Sequence, residues 1–595
     1  MVKTLSPSRL TLLVLSVALL ASIPAFRIID LHPSELHYDF FIYNPCSLYY
    51  IIAFCLMGTF LVYFIYRKNL VRNEVNRCIL YLCLSIALFR LLLYIVNYPT
   101  IMFRDVYLHG APALTIIETG EILYPTDPAP ASFPLSFYYQ AQFALITGIT
   151  DVRLFNLLLQ VVVYLCPILI LYCSARRIST NKSDLIISSI ITVSLYPSVL
   201  FLHYARSFHA LALFSIYMYM MAWPLSPKRA NYAILLLLQF SMITLDPVIA
   251  LFPALMLGVL TPLSILRSTK KDLLEISPSK QLVLYMILFL SWLTFIAITF
   301  FERATQIFQV FISGAVWTPI AATASTEIGL SIYGTLLKQS FKFFYVAIWL
   351  ISLAVLIYKR NRPSLIYFSL ALSLIPGTVV LASVDPEWDF MHKVWMTLPL
   401  CIGLLVPLGF RYLTKVAGVS KVIANLSHKK IKIVTGVSTL ILFYVLLASS
   451  ITLFEGNVYY NMIAHDWLDS GHKHLATCYH KGGPIAIFDL NAMYYVYWHY
   501  SIAPETQFPK MVDYRYVTPN DDLTTLSYPI RQIITGVQSS DIAVISNMDT
   551  YWMCPGEHAN KSELTSLFSI VLSNNNLIYD NGYFVITDNY QHGPP

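Results

Sequence analysis

The chain has 595 residues, 57% of them hydrophobic and 12% charged, with a mean hydropathy of +0.64. A soluble globular chain carries about 25% charged residues, so an ordinary soluble fold is excluded, and so is disorder, which needs low hydrophobicity and high charge. The net charge of +7 is spread through short loops between apolar runs, which leaves no basic patch for nucleic acid and points to an integral membrane protein with many spans.

Apolar runs of spanning length occur at 10–27, 47–66, 78–97, 153–175, 184–202, 207–224, 230–245, 248–266, 281–301, 341–358, 364–382, 394–413 and 431–454. A span needs roughly 17–25 residues, so 230–245 is slightly short by itself. The first run lacks a small-x-small cleavage site and is followed by a dozen others, which argues against a signal peptide. The run 135–149 (LSFYYQAQFALITGI) is read as an interfacial helix. Counted as a span it would put Arg176, Arg177 and Lys182 outside, against the positive-inside bias.

With the N-terminus cytoplasmic, 13 spans leave the C-terminus outside. Cytoplasmic segments then carry 24 of the 39 Lys and Arg, and the outer loops of the spanning part carry eight. Residues 455–595 are polar and hold no further span. PIAIFDL (484–490) and DIAVISN (541–547) are predicted strands. NLIYDNGYFVIT (576–587) is a predicted hairpin turning at Asn581-Gly582. Residues 462–476 and 561–572 are predicted helices. The expected fold is therefore mostly α: a polytopic membrane protein of about 13 transmembrane helices with a small extracytoplasmic α/β domain at 455–595. None of the nine cysteines forms a CxxC pair. Cys478 and Cys554 lie in the exported part, where a disulfide is permitted.

Ionisable residues in or at the ends of spans are costly, so each is a functional candidate. The loop after the third span (98–152) carries Arg104-Asp105, then His109, Glu118, Glu121 and a proline-rich stretch at 124–134. Asp105 and His109 share a face if this stretch is helical. The plainer alternative is a solvated loop. HYARSFH (203–209) brings His203, Arg206 and His209 to the outer surface, where a snorkelling Arg is the alternative. Asp246-Pro247 fills a tight outer turn, the usual place for such a pair. DPEWDFMHK (385–393) leads into a span with Pro399, and Lys393 there suits a phosphate as a point charge or serves as a membrane anchor. Arg90 lies about two-thirds along the third span, where it must pair or face a wet cavity. HDWLDSGHKHLATCYH (465–480) is rich in His but matches no zinc spacing.

FPLSFYYQAQFALITGITDVRLFNLLLQVVVYLCPILILYCSARRI and SLYPSVLFLHYARSFHALALFSIYMYM resemble the GT-C superfamily of membrane glycosyltransferases. The resemblance is to its polyprenyl-phosphate-sugar-dependent branch, which includes protein O-mannosyltransferases and the aminoarabinose transferases of lipid A. That branch carries an acidic residue in a long first outer loop, a Tyr-Pro-rich stretch and an interfacial helix ending in Gly. A span opening with Arg-Leu and closing with Ala-Arg-Arg follows, then a proline and a Tyr-x-Arg-like turn. Here these are Asp105, Tyr124 to Pro134, Gly148, Arg153-Leu154, Ala175 to Arg177, Pro197 and Tyr204 to Arg206. The late basic residue before a proline corresponds to Lys393 and Pro399.

The resemblance covers 78–413 and makes 1–77 an addition of two helices before a module at 78–454. It implies a polyprenyl-phosphate sugar donor and a glycan, lipid or protein acceptor outside the bilayer. Asp105 is then the catalytic base, and Arg206 and Lys393 hold the phosphate; Arg90 and His109, from their positions, are further substrate-binding candidates. A second acid common in the family is replaced by His209, and a later basic residue by Asp246. A divalent metal, if one is used, would fall to a rearranged set of Glu118, His209 and Asp246. The rival from another class is a non-catalytic transporter or lipid-binding protein. Internal inverted repeats would mark a transporter, and the sequence has none.

Overall fold

The computed structural model describes residues 6–26, 70–96, 135–149, 152–178, 206–224, 228–266, 277–299, 365–374 and five short strands between 485 and 588, with isolated positions elsewhere. The helices are α1 (Pro7–Phe26), α2 (Arg72–Val96), α3 (Leu135–Thr147), α4 (Val152–Ile178), α5 (Arg206–Ala222), α6 (Lys228–Leu245), α7 (Pro247–Leu266) and α8 (Pro278–Thr299). Each falls on a predicted run, and α3 on the predicted interfacial helix.

The ends of these helices follow their sequence. Asp246 is the N-cap of α7 and Pro247 its first residue, where a proline's missing N–H costs nothing. Prolines inside α4 (Pro167) and α7 (Pro253, Pro262) interrupt those ladders, which membrane helices tolerate better than soluble ones. Hydroxyls in the apolar runs fold back on their own turn. Thr11 donates to Pro7 O at 2.9 Å, Ser22 to Ala18 O at 2.8 Å, Thr261 to Leu257 O at 2.7 Å and Ser291 to Ile287 O at 2.8 Å. Each donor is thereby satisfied without water.

The first helix packs along α2, and α2 packs on α4. Helix α2 begins at Arg72, ahead of the predicted start at 78, because its polar first turns have a task. The Glu74 carboxylate accepts the Ser8 backbone N–H at 3.1 Å and pairs with Arg77 at 3.3 Å. It thereby satisfies one of the orphan donors at the start of α1. The hydrogen bond from the Ser8 side chain, with lesser help from its backbone N–H and the Arg77 charge, holds the Glu74 carboxyl below its ordinary value.

Further along, α4 packs on α5, α5 on α6 and α7, and α6 on α7 and α8. Helix α5 is the centre of this group, with 13 of its 17 residues buried. Other helices keep an apolar outer stripe. On α8 it is Val283, Met286, Ile287, Leu290 and Ile298; on α1 it is Leu10, Leu13, Val17 and Leu20. The spacing of three and four is that of one helix face, and a face of this kind suits lipid contact. Among the described residues, Leu157–Ile178 and Pro278–Ile298 are long and apolar enough to cross a membrane by length and composition.

The strands are β1 (Ile485–Ile487), β2 (Met511–Asp513), β3 (Ile542–Ser546), β4 (Asn576–Asp580) and β5 (Phe584–Asp588), in sheet order β2-β1-β3-β5-β4. Strand β1 is parallel to β2 and β3, whereas β3–β5 and β4–β5 are antiparallel. Strands β1 and β3 and the β4–β5 hairpin sit on the predicted segments. The three-residue β2 was not predicted, because a run as short as Met-Val-Asp has no period to detect.

The runs 47–66, 341–358, 394–413 and 431–454 lie outside the described residues or touch them at single positions. So do the predicted helices 462–476 and 561–572, the Asn581-Gly582 turn, and Cys478 and Cys554.

Candidate functional site

Helices α4 and α5 run in the same direction. The Arg177 guanidinium, in the last turn of α4, lies over the rings of Tyr219 and Trp223 at the end of α5, 5.4 Å and 5.7 Å from their centroids. Ser174 and Tyr367 share a hydrogen bond of 2.8 Å nearby. The Ala175–Arg177 motif therefore serves packing at this end. By the predicted orientation it is the cytoplasmic end, about 40 Å along α4 from Val152.

At the opposite end α4, α5 and α7 begin and α6 finishes. Asp246 joins two of these helices. Its Oδ1 accepts the N–H groups of Val248 at 2.9 Å and Ile249 at 3.1 Å, capping α7. Its Oδ2 accepts the hydroxyl of Ser207, on the second residue of α5. The carboxylate is buried, and both oxygens work as a cap and as a cross-link.

Helix α3 lies across this end, packed on α4 and α6. Its buried face is Ser136, Phe137, Gln140, Ala141 and Ala144, while Tyr138, Leu145 and Ile146 are exposed on the other side. It closes at Gly148, whose φ is +71° and whose N–H donates to Ala144 O at 2.8 Å. Glycine reaches this left-handed conformation without a Cβ penalty. The Tyr139 ring meets the buried His209 ring edge-on, with centroids 4.9 Å apart and planes at 70°.

His209 and Asp246 were grouped from the sequence as metal candidates. Ser207, which faces Asp246, and His209, which faces Tyr139, are two residues apart on α5 and so about 200° around the helix. These two contacts turn His209 and Asp246 toward different sides of α5. Among the described residues, no three His, Cys, Asp or Glu side chains come together to hold a metal ion.

Arg206 is the first residue of α5 and is half-buried at this end. A helix N-terminus carries partial positive charge from its orphan N–H groups, so Arg206 reinforces a potential that suits an anion. Arg90 lies on α2, 18 residues from its start. Asp105, His109, Glu118 and Lys393 lie outside the described residues. Sequence reasoning passed over Ser207 and Tyr139. A helical wheel of RSFH sets Ser207 opposite His209 and was the available signal for the first. Tyr139 had none beyond lying on a predicted helix.

No family model matches the sequence, and no curated protein matches it. Among solved structures, the chain is similar to the crystal structure of ArnT from Cupriavidus metallidurans bound to undecaprenyl phosphate. That similarity has a TM-score of 0.47 and 13% sequence identity, over 87% of this chain and 99% of that one. It is also similar to the Archaeoglobus fulgidus oligosaccharyltransferase in complex with Zn and sulfate. There the TM-score is 0.44 and the identity 12%, over 85% of this chain and 73% of that one.

Proposed function

We propose that the protein is a multi-pass membrane glycosyltransferase that moves a sugar from a polyprenyl-phosphate donor to an acceptor hydroxyl on the extracytoplasmic side, by inverting displacement. The observation that carries this reading is α3. It is a short helix with an exposed apolar face that closes on Gly148 across the helix ends where Arg206 and His209 sit. The sequence resemblance leads one to expect an interfacial helix ending in Gly before a span that opens with Arg153-Leu154. Exposed apolar stripes on α1 and α8 support placement in a bilayer.

The chemistry asks for little. The anomeric carbon is activated by its phosphate leaving group, so the acceptor hydroxyl needs a base and the departing phosphate needs cations. In this proposal the Asp105 carboxylate takes the hydroxyl proton, its basicity raised by partial desolvation at the membrane surface. The hydroxyl oxygen forms the new bond to the anomeric carbon on the face opposite the phosphate. The bond from that carbon to the phosphate oxygen breaks, and polyprenyl phosphate leaves as an anion. Arg206 and Lys393 hold that anion, with Arg90 and His109 beside it. The scheme does not require a divalent metal. Of the residues grouped for one, Asp246 accepts hydrogen bonds from the α7 cap and Ser207, and Glu118 lies outside the described residues.

The test is release of labelled sugar from a polyprenyl-phosphate sugar by the purified protein in lipid. Asp105→Asn is expected to lower turnover by about 10²–10⁴-fold, the usual range for general base catalysis. Asp127→Asn, in the same loop beyond the proline-rich turn, is expected to leave it near normal. Near-normal transfer by well-folded Asp105→Asn would refute the assignment.

A further inference from the structure

The α5–α6–α8 junction contains a second polar group, unrelated to the site above. Gln239 on α6 donates from Nε2 to the Tyr217 hydroxyl of α5 at 3.1 Å, and makes a long contact with the Gln281 backbone oxygen of α8 at 3.5 Å. Gln239 lies about 10 Å along α6 from the Asp246 turn and Tyr217 about 16 Å along α5 from Arg206, while Gln281 is in the first turn of α8, so the group sits away from the Arg206 end, toward the start of α8. Tyr217, Gln239, Gln281 and Tyr285 are each no more than 1% exposed.

Among the described residues, four atoms of this group have no hydrogen-bond partner: Gln239 Oε1, Gln281 Oε1, Gln281 Nε2 and the Tyr285 hydroxyl. Buried polar atoms are nearly always partnered, by protein or by ordered water. Exchanging the O and N of an amide does not repair the count, because both ends of Gln281 are orphaned and turning Gln239 only swaps which end is free. The orphans include both donors and acceptors. A cation would face the Gln281 N–H groups, and an anion would face two amide oxygens. A small neutral molecule that donates and accepts equally matches the set.

We propose that Gln239, Gln281 and Tyr285 form a binding site for ordered internal water buried between α6 and α8. Water supplies the two donors that the amide oxygens need and the acceptors that Gln281 Nε2 and the Tyr285 hydroxyl need. Buried waters typically make about three such bonds to otherwise unsatisfied groups. Next to apolar helix faces, the alternative for these atoms is to stay unpaired at the full desolvation cost.

Radiolytic labelling of the full-length protein in lipid nanodiscs tests this, because hydroxyl radicals formed from bound water oxidise the nearest side chain however deeply it is buried. Tyr367 is the control: it is equally buried, and its hydroxyl is bonded to Ser174. Tyr285 is expected to be oxidised several-fold faster than Tyr367, and Gln281→Leu is expected to slow the oxidation of Tyr285. Oxidation of Tyr285 no faster than Tyr367 in the wild-type protein would overturn the proposal. An unchanged Tyr285 rate in folded Gln281→Leu would do so as well. Should that variant fail to fold, the wild-type comparison decides alone.

Discussion

Replacing Asp246 separates a structural carboxylate from a catalytic or metal-binding one. Its carboxylate caps α7 through Val248 and Ile249 and fastens α5 through Ser207. Losing an N-cap side chain costs about 0.5–2 kcal/mol. Losing a hydrogen bond to a charged group costs about 1.5–3 kcal/mol more, since the buried Ser207 hydroxyl is left behind. Asp246→Ala should therefore destabilise the protein by about 3 kcal/mol. Asp246→Asn keeps a capping oxygen and should cost about 1 kcal/mol. Ser207→Ala should cost about 1–2 kcal/mol, and the double variant should fall short of the sum by a similar amount, because the two side chains share one bond. Thermal unfolding of the purified protein in detergent, followed by intrinsic fluorescence, reads all four. The assignment fails if Asp246→Ala leaves the melting temperature unchanged while sugar transfer collapses. It also fails if the two single substitutions add without coupling.

Three further outcomes are expected. Glu74→Gln should lower the melting temperature at neutral pH, and the gap from wild type should close as the solution is acidified. The folded-state pKa of Glu74 is lowered from 4.5, so its stabilisation is present above the unfolded value and is lost as pH falls through the folded one. A gap that widens on acidification would contradict the Ser8 contact. Gly148→Ala should cost about 1–2 kcal/mol through strain in the left-handed region alone, since among the described residues nothing beyond its chain neighbours lies within 4 Å of an added Cβ. Gly148→Asn should cost less, and equal loss in both would point to crowding instead. Engineered thiols at Ser427 and Ser539 should label from opposite sides of the membrane with an impermeant maleimide. Labelling from one side would refute the 13-span topology.

How much could be read before folding depended on whether the signal was local. Apolar runs of spanning length determine helices by themselves, because a backbone without water must satisfy its own hydrogen bonds. Every described helix falls on such a run or on the predicted interfacial segment. Gly148 was legible as a helix end only through the family resemblance, whereas the Asp246-Pro247 pair was legible as a turn, a choice made over two residues. Strands β1 and β3 and the β4–β5 hairpin were legible for the same reason, while the three-residue β2 acquires its identity only by pairing with β1.

What the tertiary structure decided is which residues meet. Ser207 lies 39 positions from Asp246, and Tyr139 lies 70 positions before His209 on another helix. No spacing rule links either pair. The turn of α5 sends Ser207 and His209 to opposite sides, and that separates two residues the sequence had grouped. Gln239 and Gln281 carried no signal either, because an amide in an apolar run is neutral and unremarkable until a second one is brought beside it. Their unsatisfied atoms exist only in the packed bundle, where helices from three parts of the chain remove the water each side chain would otherwise bind.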